Sequence, residues 1–175
     1  MAKRTPHMRR LSGKTDYKKR LALLKSGIPR LIVRKSIKNI VAQVVEYRPE
    51  GDIILAGFNS SSLKKLGWEY KRNNLPAAYL AGLITGMKAK EKKVKKVILD
   101  IGLQRSVKGS RIYAVVKGVI DAGIEVPHNP DILPSDDRLQ GKHIMDYAKS
   151  CKKEDVYKKF QSKLTELKNN IIKGK

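Results

Sequence analysis

Apolar and polar residues alternate along RLIVRKSIKNIVAQVVEY, residues 30–47, and this two-residue period predicts a β-hairpin. The apolar positions expected on one face of the two strands are Leu31, Val33, Ile40, Ala42 and Val44. The turn falls at residues 36–39, with Lys38 at its tip. After the turn PEGD, a third strand over residues 53–58 should continue the antiparallel meander.

A helical period replaces the alternation after residue 74. Asn74 can cap a helix and Pro76 suits its first turn. Its apolar positions recur at i, i+3, i+4 and i+7, namely Leu80, Leu83, Ile84 and Met87. Gly82 and Gly86 in this helix predict close packing against the sheet. A second helix should begin after Ser110 and end at Gly123, with apolar positions at Ile112, Val115, Val116, Val119 and Ile120.

Two further strands are predicted, each next to one of these helices. Residues 97–101 form a short apolar run after the first helix, and residues 124–126 follow the second. The sequence therefore predicts an α/β fold, with a mixed sheet made of an antiparallel meander plus two parallel strand-helix units. Near the carboxyl end, apolar residues spaced by three or four predict an amphipathic helix with a stripe of Val156, Phe160, Leu164, Leu167 and Ile171.

Charge divides the chain more sharply than hydropathy does. The net charge is +23 over 175 residues, and residues 1–38 alone hold 13 Lys or Arg against the single acid Asp16. We therefore expect a basic RNA-binding arm at residues 1–28, an α/β body at 29–127, and a loop with a helical extension at 128–175. Such an excess of positive charge indicates a polyanionic partner, most simply RNA or DNA. No apolar run is long enough to span a membrane, and the start lacks a signal peptide, which predicts a soluble cytoplasmic protein.

Enzymatic patterns are weak. The loop VPHNPDILPSDDRLQGKH offers metal-ligand side chains, namely His128, Asp131, Asp136, Asp137 and His143, but its prolines predict no rigid element to fix them. Asp100 and Asp121 are a carboxylate pair without a third acid. The loop GLQRSVKGSR, residues 102–111, does not have the spacing of a nucleotide-binding loop, although Arg105, Lys108 and Arg111 can meet an RNA phosphate. Cys151 is the only cysteine. We expect no catalytic residue, no metal, no cofactor and no small-molecule substrate.

Several motifs carry a resemblance to a known family. TDYKKRLALLKSGIPRLIVRKS, WEYKRNNLPAAYLAGL, VILDIGL and DAGIEVPHN occur in order between residues 9 and 150. Together they resemble the large-subunit ribosomal protein numbered eighteen in universal nomenclature, in its archaeal type. That family binds 5S rRNA. The resemblance implies a structural role in the large ribosomal subunit, anchoring 5S rRNA to the large-subunit rRNA in the central protuberance beside neighbouring ribosomal proteins.

The candidate RNA-binding residues combine the basic arm with the hairpin. The family's RNA-contacting positions map onto Lys14, Tyr17, Lys18 and Arg20 and onto the hairpin cations. The full set is Lys3, Arg4, Arg9, Arg10, Lys14, Tyr17, Lys18, Lys19, Arg20, Arg30, Arg34, Lys35, Lys38, Asn39, Lys108 and Arg111. Tyr17 is either a stacking partner for a splayed base or an ordinary aromatic on a helix face. The alternative function is an RNA-acting enzyme that uses the arm to capture its substrate.

Overall fold

The structure is a computed structural model that describes residues 5–151, 157 and 159–172. The strands are β1 Arg30–Lys35, β2 Ile40–Glu46, β3 Ile53–Asn59 and β4 Ile98–Asp100. The α-helices are α1 Met8–Leu11, α2 Tyr17–Leu24, α3 Leu75–Glu91, α4 Arg111–Asp121, α5 Asp136–Leu139, α6 Lys142–Ser150 and α7 Phe160–Ile172. Short 3-10 helices cover Ser60–Leu66 and Pro130–Ile132.

The four strands form one sheet in the order β3-β2-β1-β4. β1 and β3 each pair with β2 in antiparallel fashion, whereas β1 pairs with β4 in parallel. The predicted mixture of antiparallel and parallel pairing is thus confirmed. Leu31 and Val33 are fully buried under the helices, while Arg30, Ile32 and Arg34 point to the opposite face because successive strand residues alternate.

The second parallel strand was predicted wrongly. In place of a strand at residues 124–126, the described chain has a single parallel bridge between Lys96 and Glu125. Two local features shorten the pairing. The N–H of Ile124 is used by the end of α4, since it donates to the Val119 carbonyl. Pro127, two residues after the bridge, has no N–H to extend a ladder.

Helix α3 packs against α4 and against strands β2 and β3, while α4 packs against β1, and α3 is buried along most of its length. It begins as predicted, because Oδ1 of Asn74 accepts a hydrogen bond from the N–H of Ala77 over 2.9 Å. The glycine prediction named the wrong neighbour. A Cβ at Gly82 would lie 2.2 Å from the carbonyl oxygen of Val115, so this glycine allows backbone contact with α4 rather than with the sheet.

Helix α7 packs on the body through three of the predicted positions. Phe160, Leu164 and Leu167 are all buried, and the Phe160 ring meets Trp68 edge-on at a centroid distance of 5.3 Å. Val156, the first residue of the predicted stripe, lies outside the described residues. In the part of the chain that the structure describes, no helix is both long enough and apolar enough to cross a membrane.

Candidate nucleic-acid interface

Helix α2 carries the cations of the arm on the surface. Asp16 starts the helix, because its Oδ1 accepts hydrogen bonds from the backbone N–H groups of Lys18 at 3.0 Å and Lys19 at 3.2 Å. Both lysine side chains are exposed, and none of the residues of α2, all of which are described, is buried. The helix is therefore fixed at its start by its own cap and offers its charges to the solvent.

A shared carboxylate ties α2 to the start of β1. Asp52 lies just before β3, and its Oδ2 accepts hydrogen bonds from Nη2 of Arg20 over 2.9 Å and from Nη2 of Arg30 over 2.7 Å. Arg20 lies in α2 and Arg30 opens β1. One acid thus holds two of the predicted RNA-binding arginines beside each other.

Asp100 continues this ion-pair network along the sheet. Its Oδ2 accepts from Nη1 of Arg30 at 2.9 Å, and its Oδ1 accepts from Nη2 of Arg34 at 3.0 Å. Nη1 of Arg34 also donates to the Asp100 backbone carbonyl over 2.7 Å. We call the five residues Arg20, Asp52, Arg30, Asp100 and Arg34 the arginine network. It contains three positive and two negative side chains, so it keeps one net positive charge.

The members of the arginine network differ in what they can offer to RNA. Arg30 is 2% exposed, and both of its terminal nitrogens bind carboxylates. Its role as a direct RNA contact stays a prediction, but its guanidinium lies under the surface and holds its neighbours in place. The side chains of Arg20 and Arg34 are 33% and 43% exposed, so part of each guanidinium remains accessible to the solvent.

Asp52 and Asp100 are the residues that sequence reasoning missed here. By sequence alone, Asp52 belongs to the turn PEGD, and Asp100 belongs to a carboxylate pair that suggests a nuclease. The sequence does contain a signal for such an acid. Arg30 and Ile32 lie two residues apart and therefore share one face of the predicted strand, and an arginine buried there requires a carboxylate close by. The sequence did not say which acid that would be.

A cavity of about 510 Å³ separates the arm from the sheet beside this network. Its lining includes the predicted cations Arg9, Lys14, Lys19, Arg20, Arg30 and Arg34. Three aspartates also line it, Asp16, Asp52 and Asp100, so cations outnumber acids two to one. Of the remaining arm cations, Arg10 is exposed, whereas Lys3 and Arg4 lie outside the described residues.

Tyr17 is half-buried at the start of α2, where it meets another ring of the arm. Its centroid lies 4.8 Å from that of His7, and the two planes are inclined by 31°. Nε of Arg9 also donates a hydrogen bond to the Thr15 hydroxyl over 3.0 Å. These two contacts show that the arm is locally folded on itself. One face of the tyrosine is covered by His7, a contact that the sequence did not predict.

The hairpin tip presents a second group of predicted residues. Lys35 and Lys38 are exposed, and the turn between them closes through Ser36, whose N–H donates to the Asn39 carbonyl over 2.8 Å. The Ser36 hydroxyl accepts from the Asn39 N–H over 2.9 Å. Oδ1 of Asn39 is buried and meets no donor among the described residues.

The two predicted residues near α4 have different environments. Lys108 is exposed in the loop before the helix. Arg111, in the first turn of α4, donates from Nη1 to the Asn73 carbonyl over 3.0 Å. Arg111 is therefore partly committed to holding the loop before α3, whereas Lys108 is exposed and its contact with RNA stays a prediction.

The carboxylates weighed for catalysis are occupied in separate places. Asp100 belongs to the arginine network, while Asp121 accepts from the Tyr79 hydroxyl at 2.8 Å and pairs with Lys117 at 3.0 Å. Burial, followed by the hydrogen bond that the Tyr79 hydroxyl donates to Asp121, raises the pKa of Tyr79 well above its usual range. Neither acid therefore has the open site that a nuclease would need.

The proline-rich loop does not gather a metal site in the described residues. Nδ1 of His128 lies 2.6 Å from the Val126 carbonyl oxygen. Burial and the neighbouring Arg138 lower the pKa of His143, with Asp146 opposing them. Across residues 5–151, 157 and 159–172, no three His, Cys, Asp or Glu side chains form a group that could hold a metal ion.

The fold and its surface define a class of protein: a basic α/β protein that displays cations from an arm and a hairpin tip, as nucleic-acid-binding proteins do. The model of one family, described as ribosomal large subunit proteins 60S L5 and 50S L18, matches residues 3–94 and 86–129. The chain belongs to this family. The predicted resemblance is thereby confirmed, and so is the predicted place of the chain in the large subunit of the cytoplasmic ribosome.

Two relatives extend the similarity beyond the residues that the family model matches. The large ribosomal subunit protein uL18 of Methanococcus maripaludis is 48% identical over 164 residues, which are 93% of this chain and 85% of that protein. The uL18 protein of Korarchaeum cryptofilum is 52% identical over 146 residues, 83% of this chain and 75% of that protein. A family of ribosomal proteins is a structural class whose partners are rRNA and other ribosomal proteins.

Proposed function

We propose that this protein binds 5S rRNA and attaches it to the large-subunit rRNA in the central protuberance, as a structural component without catalysis. The observation that carries the proposal is the arginine network. Arg20, Arg30 and Arg34 come from the arm and the first strand, yet two aspartates hold them together beside a cavity lined by further cations. A polyanion that meets this surface encounters charges already held in position, which reduces the entropy lost on binding.

We assign the proposed contacts to three segments of the chain, an arm, a body and an extension. Residues 1–28 form the basic arm, residues 29–127 the body that fixes it, and residues 128–175 the loop and helical extension. In this proposal the exposed lysines of α2 and of the hairpin tip neutralise phosphates, and the exposed edges of Arg20 and Arg34 assist them. Phosphate contacts supply affinity and register, while 2′-hydroxyls and unstacked bases distinguish one RNA from another.

The choice of 5S rRNA rests on the family resemblance, and the absence of a catalytic role is supported by the carboxylates. Asp100 and Asp121 are each bound to neighbouring side chains of this chain. Neither of the two carboxylates is therefore available as a general base beside the cationic surface. Nothing in the described residues favours the alternative of an RNA-acting enzyme.

The test is a competition between two RNAs of equal length. The full chain is titrated with labelled 5S rRNA, and unlabelled 5S rRNA or a scrambled RNA of the same length is added as competitor at several salt concentrations. We expect 5S rRNA to compete at least tenfold better, because non-specific phosphate binding alone does not distinguish the two RNAs. Equal competition would refute the proposal, and so would cleavage of 5S rRNA by the purified protein.

A further inference from the structure

A second cationic surface lies at the hairpin tip, away from the arm. A cleft of about 730 Å³ opens between the tip and the loop that precedes α3. Four cations line it, Lys38, Lys64, Lys71 and Arg72, against one acid, Glu69. Only Lys38 belongs to the RNA-binding set predicted from the sequence. We call this the tip cleft; its volume falls within the range of about 300–1,000 Å³ typical of ligand sites.

The walls of the tip cleft are held by hydrogen bonds that cross between elements. The side-chain amide of Asn73 donates to the carbonyl of Ile37, at the hairpin tip. Arg111 of α4 donates to the carbonyl of Asn73, and Nε1 of the buried Trp68 donates to the carbonyl of Lys71 over 3.2 Å. The loop is thus attached to the hairpin, to α4 and to the core. Its cations stand on a framework that exists before any ligand arrives.

The tip cleft and the arm are separate surfaces. The cavity beside the arm is lined from the sheet face that carries Arg30 and Arg34, and it shares no lining residue with the tip cleft.

We infer that the tip cleft is a second RNA-binding site, which takes a segment of rRNA backbone other than the one held by the arm. This inference rests on the proposed function, and it gives the attachment role a physical form. A protein that joins two RNA segments needs two cationic surfaces that can be occupied together, and the arm and the tip cleft provide them. Lys64, Lys71 and Arg72 neutralise phosphates in the second site.

The test compares two triple variants of the full chain that remove the same charge. The cleft variant carries Lys64→Gln, Lys71→Gln and Arg72→Gln. The control variant carries Lys90→Gln, Lys92→Gln and Lys95→Gln, which neutralise exposed lysines around the end of α3. Each is titrated with 5S rRNA and, separately, with a transcript of the large-subunit rRNA at several salt concentrations, after circular dichroism has shown that both melt like the unaltered chain.

The cleft variant should lose about tenfold or more in affinity for at least one of the two RNAs, and its salt slope should flatten by about two units, since each phosphate contact contributes about 0.7–0.9. The control variant should stay within about threefold of the unaltered chain for both RNAs, because long-range charge is screened beyond about 10 Å at 0.1 M salt. Equal losses for the two variants with both RNAs would overturn the inference.

A combined variant tests whether the two surfaces are separate. Lys18→Gln and Lys19→Gln remove two arm cations and are joined to the cleft triple. With an RNA that both the arm variant and the cleft variant bind more weakly, the fold-losses should multiply in the combined variant, as they do for distant sites. With an RNA that only one of them binds more weakly, the combined loss should equal that of the single variant. A combined loss smaller than the product, with an RNA that both variants bind more weakly, would overturn the inference of two separate surfaces. Failure of the proposed function would look different. In that case 5S rRNA would compete no better than a scrambled RNA of the same length, while the cleft variant would still bind RNA more weakly than the control variant.

Discussion

Arg30 and Asp100 form a buried ion pair that joins β1 to β4, with Nη1 donating to Oδ2 over 2.9 Å and side-chain exposures of 3% and 8%. Asp100 also receives Arg34, and Arg30 also reaches Asp52, which receives Arg20 of the arm. The stability of the sheet edge and the position of the arm therefore depend on the same charges.

Removing one partner of this pair should be costly. Asp100→Asn keeps the shape of the side chain but leaves Arg30 with Asp52 as its single carboxylate. We expect the free energy of unfolding to fall by about 3 kcal/mol, near the lower end of the range for a broken buried pair. Chemical denaturation followed by circular dichroism measures it.

An exposed ion pair supplies the control for Asp100→Asn. Glu125→Gln breaks the contact between Lys96 and Glu125, whose side chains are 43% and 66% exposed. Its effect should stay below about 1 kcal/mol, because solvent screens the pair. If both variants lowered the free energy of unfolding equally, the buried network would have no special structural role.

The contact between α3 and α4 should not tolerate a methyl group. In Gly82→Ala the new Cβ would lie 2.2 Å from the backbone oxygen of Val115. This oxygen belongs to helix α4 and cannot move aside as the end of a flexible side chain could. We expect a loss of about 3 kcal/mol, at the upper end for overpacking, and a fall in melting temperature of about 6 °C or more.

Gly57→Ala is the matched control in the sheet. Its nearest neighbour would be Cγ of Gln43 at 3.1 Å, the middle of a flexible side chain that can move. We expect the melting temperature to change by about 3 °C or less. A similar melting temperature for the two alanine variants would contradict a helix crossing set by Gly82.

Local patterns predicted most of the elements because each has a local cause. The hairpin follows from alternation, and α3 follows from its cap at Asn74 and a period of 3.6. The strand predicted at residues 124–126 failed because its pairing depends on Pro127 and on the end of α4, which the apolar run itself does not report. The packing of Gly82 against α4 rather than the sheet likewise depends on tertiary structure and not on the local sequence pattern.

The candidate interface was harder to predict from the sequence than the fold, because a count of charged residues does not show which cations form ion pairs with acids. Lys18, Lys19, Lys35 and Lys38 are exposed as a basic run suggests. Arg30 belongs to the same run, yet its charge is buried against two acids that lie 22 and 70 residues away in sequence. Contacts of that range follow from strand order, and strand order was not fixed by the sequence pattern.

The Tyr17 ring should contribute to RNA binding through stacking. Tyr17→Ala is expected to weaken binding of 5S rRNA by about 1–3 kcal/mol without changing the salt slope, since a ring neutralises no phosphate. Titrations at several salt concentrations separate the two effects. His7→Ala should leave the affinity within about twofold, because it removes only the ring that covers one face of the tyrosine.

A second exposed tyrosine provides the comparison for Tyr17. Tyr147 is 72% exposed and lies in α6, outside the proposed contacts. Tyr147→Ala should not alter the affinity. If Tyr17→Ala matched Tyr147→Ala, Tyr17 would be an ordinary aromatic on a helix face.

The proline-rich loop should be indifferent to metal ions. His128→Ala, Asp131→Ala and His143→Ala, made singly, should each leave the affinity for 5S rRNA within about twofold, and a chelator should change neither affinity nor melting temperature. The reason is that His128 lies against a backbone carbonyl and no metal-binding group forms among the described residues. Stoichiometric metal in the purified protein, measured by mass spectrometry, would contradict this.

Deleting residues 1–25 should separate binding from folding. The deletion removes nine cations: Lys3, Arg4, Arg9, Arg10, Lys14, Lys18, Lys19, Arg20 and Lys25. The described part of this segment contributes no buried residue, and Asp52 keeps Arg30 as its partner when Arg20 is lost. The body should therefore melt cooperatively, with strands β1 to β4 intact.

The affinity of the truncated chain for 5S rRNA should collapse, because binding of a polyanion depends on counterion release. If about half of the nine cations contact phosphates, the slope of log K against log salt should flatten by about three to four units, at about 0.7–0.9 for each contact. Lys14→Gln, Lys18→Gln and Lys19→Gln in the full chain provide the matched comparison, with a flattening of about two units. A truncated chain that stays folded and binds with unchanged affinity and slope would show that the arm does not anchor the RNA, and the contacts would then have to lie in the body.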